Sequence, residues 1–441
     1  MSETDAPFGK LSWRFGVAEE DILSDELLRQ LIGVGEVDIL VGLHTYNDAK
    51  TIGEVVQVIR EGLLKYFPRE RVAILNADGG SRDGTPDLVR AASVSDNRDG
   101  WSFQTLRTLH CISGRYADAP SAGSALHIIV AAADLLRAKA CAVIAPESTE
   151  IRPDWIDRLV RPVYREHFDF VVPVYRRHRF EGMLVTNLLY PMTRALYGKR
   201  IREPRPGEFA FSDRLASPVL GNGLWGSEAG RLGPEVCITM ASLSNGLRVF
   251  QTFLGTKGHL ERQAPDLVAA LRQTVGPLFW SMEQTDAAWS LINEVQPVPT
   301  AGPEYEVTTD AIDVDRQHLH QMFCSGVVDL EPVLKTILSP DTLAQLQATA
   351  ALTEDRFHYS DDLWVKAVYE FAASYHRSVI SRDHILQALV PLYRGRAYAY
   401  LTENATASQE AVEEHIEGLC VAFERLKPYL VEMWTAPERG S

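Results

Sequence analysis

Carboxylates follow two apolar stretches of the sequence, in surroundings that suit a metal ion or a nucleotide. Glu147 and Glu150 follow residues 141–145 in CAVIAPESTE, and Asp78 follows a second stretch in NADGGSRDGT. Carboxylate oxygens are ligands that hard cations such as Mg²⁺ prefer. A carboxylate at a strand end can also bind the ribose hydroxyls of a nucleotide, and glycines such as Gly79 let the backbone approach it. These residues therefore indicate a site for a metal, a nucleotide or both.

The Asp78 segment also has a simpler interpretation, as a tight strand-to-helix turn with an Asp cap. No Gly-Lys-Ser/Thr follows its glycines, so the segment is not a Walker loop, and it lacks the dinucleotide fingerprint. Hydride chemistry is therefore disfavoured, whereas a nucleotide site and a structural turn both stay open.

The elements that must position these residues alternate between strands and helices. From Val37 the runs VDILVGLHTYN, RVAILNADGG, LRTLHCIS and ACAVIA predict strands, and the segments between them carry apolar residues at helical spacing. This alternation predicts an α/β fold with a mostly parallel sheet and helices on both faces. Because ligands bind at the carboxyl ends of parallel strands, the loops at residues 44–48, 77–83 and 146–150 should lie together.

The pattern of the sequence divides the chain into three regions. Residues 1–36 are predicted to form an N-terminal helical extension, residues 37–262 the α/β domain, and residues 263–441 a mostly helical C-terminal domain. In the last predicted helix, Ser408 caps a run with one apolar face. With 46% hydrophobic residues among 441, the chain can bury substantial cores.

Charge and cysteine content limit the class of partner and the compartment. The formal net charge of −15 disfavours nucleic acid or an anionic membrane as a partner over the whole surface. The five cysteines are scattered and predict buried thiols of a reducing compartment. The first residues do not resemble a secretory signal, and charges interrupt the most apolar window, residues 125–145. We therefore expect no membrane span and a cytoplasmic location.

Two segments, taken in order, carry a resemblance to a known family. Tyr46 and Asn47 in HTYN follow the first predicted strand, and NADGGSRDGT follows the second. Over residues 37–259 the chain resembles GT-A glycosyltransferases of the family 2 type, and more narrowly bacterial relatives of mannosylglycerate synthase and glucosyl-3-phosphoglycerate synthase. The resemblance implies a Rossmann-like GT-A domain that binds a nucleoside-diphosphate sugar, uses a divalent metal on its diphosphate, and transfers the sugar with retention of configuration.

The resemblance also implies roles for particular residues. It makes Glu147 and His259 ligands of Mg²⁺ or Mn²⁺, and it places Glu235 beside the reacting carbon. The segment PGEFAFS resembles the family's acceptor loop, which places Gly207 and Glu208 at the sugar or acceptor, with Glu208 as a second catalytic candidate. The implied nucleotide-binding set is Tyr46, Asn47, Asp78 and Gly79.

The chain departs from the family pattern in its metal motif and in its phosphate-binding lysine. Ala145 stands where the first acid of the metal motif is expected, which leaves Glu147, with Glu150 as a substitute for the lost acid. Ser121-Ala122-Gly123 stands where relatives carry Gly-Lys-Gly, so the lysine is missing. Glu147, Glu208 and Glu235 each replace an expected Asp.

Two arginine-rich segments, residues 175–183 and 198–208, stand out in this acidic chain. Their arginines could bind a diphosphate or an anionic acceptor in bidentate fashion. They could equally be solvated loops that pair with surface acids. The candidates to replace the missing lysine are Arg200, Arg202 and Arg205, and Arg202 is assigned to the nucleotide-sugar site.

The leading hypothesis is a metal-dependent, retaining glycosyltransferase that uses a UDP- or GDP-linked sugar and a small hydroxyl acceptor such as glycerate or phosphoglycerate. The C-terminal helices would cover the acceptor side or form a homodimer. The losses at Ala145 and Ala122 motivate a second hypothesis, a weak or inactive relative that binds a nucleotide or sugar as a regulatory partner. A nucleotidyltransferase is disfavoured, because the N-terminal Gly-rich basic loop of those enzymes is not visible.

Overall fold

The computed structural model describes residues 22–93, 108–115, 121–221, 223–256, 266–302 and 315–436. An α/β unit built on one sheet comes first, and a mostly helical region, whose described residues include one short strand, packs against it. The predicted fold class, a mostly parallel α/β sheet followed by mostly helical C-terminal residues, is confirmed. The exact domain boundaries stay a prediction.

The sheet fixes the geometry of the α/β unit. Its strands are β1 (Ile39–Thr45), β2 (Arg71–Asp78), β3 (Thr108–Arg115), β4 (Ala140–Ile144), β5 (Phe170–Arg176), β6 (Phe209–Phe211), β7 (Val249–Thr256) and β8 (Thr300–Ala301). Their order is β3-β2-β1-β4-β6-β5-β7-β8. β6 runs antiparallel to β4 and β5, and the other pairs are parallel. The first residues of β6 therefore lie at the edge where β1, β2 and β4 end.

Helices cover both faces of this sheet. The helices in this part of the chain are α1 (Asp25–Val34), α2 (Ile52–Tyr66), α3 (Thr85–Ser93), α4 (Ala122–Leu135), α5 (Pro153–Tyr164), α6 (Tyr190–Tyr197), α7 (Asp213–Gly221), α8 (Glu228–Leu232) and α9 (Pro234–Ser244), of which α6 packs with the C-terminal helices instead of the sheet. Val41 of β1 packs in the core with α2 and α5, whereas its neighbour Leu40 packs in the core with α4. Because successive strand residues face opposite sides, a strand covered on both faces is apolar throughout.

The helical region shares a core with the α/β unit. Its helices are α10 (Leu267–Gln284), α11 (Asp286–Trp289), α12 (Arg316–Asp329), α13 (Glu331–Ile337), α14 (Pro340–Ala350), α15 (Asp361–Arg377), α16 (Arg382–Glu403) and α17 (Gln409–Thr435). One hydrophobic cluster contains Leu196 of α6, Met240 of α9 and Phe423 of α17. The predicted cap of the last helix is confirmed, because the Ser408 side chain accepts a hydrogen bond from the Ala411 N–H. The two parts are therefore joined by packing as well as by the chain.

Four of the five cysteines are free thiols in the structure. Cys141, Cys237 and Cys420 are buried and unpaired, and Cys324 is partly exposed. Burial raises the pKa of all four thiols, so they are protonated at neutral pH. In the described part of the chain, every helix is too short or too polar to cross a bilayer.

Candidate functional site

Hydrogen bonds join the three loops that were expected to lie together at the carboxyl edge of the sheet. The Asn47 N–H donates to Ser81 Oγ at 2.8 Å, and the Arg82 N–H donates to Asn47 Oδ1 at 3.0 Å. Thr51 Oγ1, at the start of α2, donates to the carbonyl of Pro146 at 2.8 Å. The sequence-based placement of these loops is confirmed.

Asp78 is buried and accepts hydrogen bonds from the glycine-rich turn. Its carboxylate accepts hydrogen bonds from the N–H groups of Gly80 and Ser81, both at 2.9 Å, and from the hydroxyls of Ser81 and Thr45, at 2.6 and 3.0 Å. The side chain is 3% exposed. Asp78 therefore shapes the loop that a nucleotide would meet, and a direct contact with the nucleotide stays a prediction.

Tyr46 and Asn47 are exposed on the first loop, whereas Gly79 of the second loop is buried. The Tyr46 side chain is among the exposed large apolar groups, at 52% exposure, so its ring is available for stacking. Asn47 has a left-handed backbone, with φ of 59°, which Asn tolerates better than most residues. The Gly79 N–H donates to the Thr45 carbonyl at 2.8 Å, which ties the second loop to the first.

Glu147 lies close to an acid that the sequence reasoning missed. Burial raises the pKa of the Asp48 carboxyl above its ordinary value, and the negative charges of Glu147 and Asp83 raise it further. The signal was present in the sequence, because Asp48 directly follows Asn47 in the same loop. Like charges held near each other make this position favourable for a cation.

The described residues fit a cation that shares its ligands with a substrate. Among them, no three His, Cys, Asp or Glu side chains are grouped to hold a metal by themselves. Mg²⁺ commonly takes one or two carboxylates together with substrate phosphates and water, and Glu147 and Asp48 can supply those carboxylates. His259, the second predicted metal ligand, lies outside the described residues.

Glu208 lies directly behind the Glu147 loop. Its two carboxylate oxygens accept hydrogen bonds from Ser148 Oγ and Tyr175 Oη. Burial, and then the Glu208 charge, raise the pKa of Tyr175 far above its ordinary value, so the phenol keeps the proton that it donates. Glu208 is thus brought next to the predicted metal motif, and Gly207 precedes it at the edge of the sheet.

A cavity of about 650 Å³ lies between the end of β5, α6 and the C-terminal helices. Its lining includes Arg202, whose guanidinium donates to the Glu413 carboxylate at 3.0 Å. The Cζ atom of Arg202 lies 4.9 Å from the centre of the Tyr190 ring. In the same wall, Arg177 pairs with Glu203 at 2.8 Å. Arg202 therefore lies in this cavity. Arg177, Arg200 and Arg202 pair with acids of the protein, whereas Arg179 and Arg205 donate to the Ala407 carbonyl and the Gln273 side chain.

Glu235 lies in the first turn of α9. One of its carboxylate oxygens is buried and has no hydrogen-bond partner among the described residues. A short connection, residues 245–248, leads from α9 into β7, so the first turn of α9 lies toward the carboxyl edge of the sheet. Within the described ranges, no hydrogen bond or ion pair links its side chain to the three loops.

Comparison with known proteins gives structural likeness only. No family model matches the chain, and no curated protein sequence matches it. Solved structures that are similar to it include those of a synthase crystallised with uridine diphosphate and a divalent metal.

That synthase is glucosyl-3-phosphoglycerate synthase from Mycobacterium tuberculosis. Its complex with Mn²⁺, uridine diphosphate and glucosyl-3-phosphoglycerate is 21% identical, with 59% of this chain and 83% of that chain covered, at a TM-score of 0.42. The complex with phosphoglyceric acid gives the same values. The complex with Mg²⁺ and uridine diphosphate is 20% identical at a TM-score of 0.41, with the same coverage. These values are low, and the function of this chain is therefore inferred from its own residues.

Proposed function

We propose that the protein is a GT-A glycosyltransferase that moves a sugar from a nucleoside-diphosphate sugar to a small hydroxyl acceptor. The observation that carries the proposal is the surface formed by three hydrogen-bonded loops at the carboxyl edge of the sheet, with the Glu147 loop on one side. Ligands of open α/β sheets bind at this edge. The order of the motifs on these loops is the one that the family resemblance implies.

The nucleotide would bind on the first two loops. Tyr46 offers an exposed ring for the base and Asn47 an exposed polar side chain, and Gly79 would let the backbone approach the nucleotide. Asp78 holds the glycine-rich turn in shape, because four donors converge on its carboxylate. The donor would be a UDP- or GDP-linked sugar.

Glu147 and His259 would hold Mg²⁺ or Mn²⁺ together with the donor diphosphate, and Asp48 adds a neighbouring carboxylate. When bound, such a cation neutralises charge that develops on the leaving diphosphate. The chain's own contribution is to place the Glu147 loop through Ser148 and Thr51. The proposal predicts that nucleotide binding strengthens when Mn²⁺ is added.

The acceptor would enter the cavity beside Tyr175, which Glu208 connects to the Glu147 loop. Arginine side chains in its wall suit an acceptor that carries a carboxylate or phosphate, such as glycerate or phosphoglycerate. Retention of configuration follows if the acceptor hydroxyl attacks on the face from which the diphosphate leaves. Glu235 would orient the acceptor or stabilise positive charge on the sugar.

The melting temperature, measured with UDP or GDP and with or without Mn²⁺, tests the proposal. Metal-dependent stabilisation by one nucleotide is expected, because a ligand that binds the folded state raises its stability. No response at millimolar nucleotide would remove the proposed function. Glu235→Gln should abolish sugar transfer and leave nucleotide binding unchanged, and retained turnover would remove Glu235 from its role.

A second candidate is a weak or inactive relative that binds a nucleotide or sugar as a regulatory partner. It is favoured by Ala145, which is 4% exposed and offers no metal ligand where an acid is expected. Metal-independent nucleotide stabilisation without transfer or hydrolysis of the sugar nucleotide would select this candidate.

A further inference from the structure

A buried carboxylate connects the Glu147 loop to the cavity. Glu208 is 1% exposed, and its two hydroxyl partners, Ser148 and Tyr175, are 6% and 8% exposed. Each carboxylate oxygen accepts a hydrogen bond from one of the two hydroxyls. A side chain enclosed in this way has no surface left for a substrate, although the resemblance implied that it touches one.

On one side, the connection fixes the backbone that carries Glu147. The Ser148 N–H donates to the Ala145 carbonyl at 3.2 Å, and the Ile151 N–H donates to the Ser148 carbonyl at 3.1 Å. Ser148 is therefore anchored by its backbone and by its side chain at once. Since Glu147 directly precedes it, the direction of the Glu147 side chain depends on this anchor.

On the other side, the connection fixes a residue of the cavity wall. Tyr175 lines the cavity, and the pairing of β5 with β7 shifts register between Val174 and Tyr175. Such bulges re-aim side chains and are frequent beside active sites. Val174 pairs with Phe253 and Tyr175 with Gly255, so the extra residue of the bulge is Leu254 of β7, and the bulge lies opposite the residue whose hydroxyl meets Glu208.

We propose that Glu208 is a positioning residue that couples the Glu147 loop to the acceptor cavity. It acts through Ser148 on the donor side and through Tyr175 on the acceptor side. This inference rests on the proposed function, because the coupling matters only if the two sites bind two substrates of one reaction.

Hydrogen exchange, followed by mass spectrometry, measures the coupling in the full-length protein. UDP with Mn²⁺ should slow exchange at least threefold at residues 44–48 and 145–151, where it binds. In the wild type the slowing should extend to residues 174–186, across Glu208. Ser148→Ala and Tyr175→Phe each remove one hydroxyl and should abolish the distant effect, while the effect at residues 44–48 persists.

Two variants of Glu208 separate positioning from direct contact. In Glu208→Gln, the slowing of exchange at residues 174–186 should stay within twofold of the wild-type value, because an amide can accept a hydrogen bond from one hydroxyl and donate one to the other. Glu208→Ala should lose the effect, and if it fails to fold, Ser148→Ala carries the same test. A carboxylate that binds substrate would instead fail in Glu208→Gln, with a raised acceptor KM or a lost kcat.

The outcomes distinguish this inference from the proposed function. If UDP with Mn²⁺ does not slow hydrogen exchange at residues 44–48 of the wild type, both the proposed function and the coupling are overturned. If those residues are protected but Ser148→Ala and Tyr175→Phe behave as the wild type at residues 174–186, the coupling alone is overturned.

Discussion

At the scale of single residues, Lys427 of α17 is a buried amine held by backbone carbonyls. Its Nζ donates to the carbonyls of Leu196 and Ile292, at 3.0 and 2.6 Å, and the side chain is 5% exposed. Burial lowers the pKa of Lys427 from 10.5 to about 8. Around neutral pH, keeping this charged amine out of water therefore lowers the free energy of unfolding.

This burial predicts a pH dependence of stability. Between pH 8 and 10.5 the unfolded chain keeps the Lys427 proton and the folded chain releases it, so the free energy of unfolding rises with pH. Relative to Lys427→Met, the wild type should gain about 1 kcal/mol per pH unit in this window. Urea unfolding of both proteins at several pH values measures the difference, and a difference that is flat with pH would contradict the low pKa.

Glu147 and Glu150 offer a matched comparison on one loop. Glu147→Gln should weaken UDP binding about tenfold when Mn²⁺ is present and leave it unchanged without metal, because one charge-assisted ligand is lost. Glu150→Gln should change the metal-dependent affinity by less than threefold, since we assign the ligand role to Glu147. Calorimetric titration measures both. Equal losses in the two variants would make Glu150 a ligand as well.

The sequence allowed the position of Asp78 to be predicted but not its partners. A strand followed by glycines indicates a carboxylate at the sheet edge, because that pattern is local. The hydrogen bond from Thr45 depends on the register of β1 against β2, which places Thr45 opposite Asp78. Register is set by the packing of the whole sheet, so the enclosure of Asp78 could not be predicted from its own segment.

At the scale of elements, Gly123 lets α4 approach α8 closely. A Cβ on Gly123 would lie 2.2 Å from the carbonyl oxygen of Gly230 and 2.7 Å from Cα of Arg231. Both are backbone atoms and cannot rotate away. Close packing of α4 on α8 therefore requires glycine at position 123.

Gly123→Ala should destabilise the protein by about 2 kcal/mol, because the two helices must separate to accept the methyl group. Gly53→Ala in α2 is the control, since a Cβ there meets no atom within 4 Å and Ala favours a helix. Chemical unfolding of the two variants gives the comparison. A Gly123→Ala variant as stable as Gly53→Ala would show that the contact is loose.

The regular helices and strands followed the sequence pattern more closely than the middle of the chain did. α5 begins at Pro153, in agreement with the sequence, because proline is favoured in the first turn of a helix. By contrast, β6 has three residues and pairs antiparallel with both neighbours, and residues 185–189 form a π-helix. Neither element leaves a periodic hydrophobic pattern in the sequence, because each depends on partners that are distant in the chain. For the π-helix one such partner is Arg396, which donates to Asn187 Oδ1 at 2.9 Å.

At the scale of the whole molecule, Arg194 ties the α/β unit to the last helix. Its guanidinium makes two hydrogen bonds to Glu417, at 2.6 and 2.8 Å, and lies 2.6 Å from Glu424. The Arg194 side chain is only 2% exposed. Arg200 also reaches Glu417, at 3.3 Å, but its side chain is 49% exposed.

Arg194→Met should lower the free energy of unfolding by about 2 kcal/mol, because it removes a buried guanidinium and its charge-assisted hydrogen bonds to Glu417. Arg200→Met should cost less than about 1 kcal/mol, as exposed pairs do. Both variants should unfold in one calorimetric transition, since a single core contains residues of α6, α9 and α17. Two separated transitions would show that the parts fold independently.

The shared core also sets the order in which the protein can be completed during synthesis. Leu196 of α6 packs against Phe423 of α17 in one cluster, yet roughly 200 residues separate these helices in the chain. At about 5–20 residues per second, the ribosome needs on the order of ten to forty seconds to make that length. For that time the apolar side of α6 has no partner from α17, which makes the nascent chain a client for chaperones that bind exposed apolar segments.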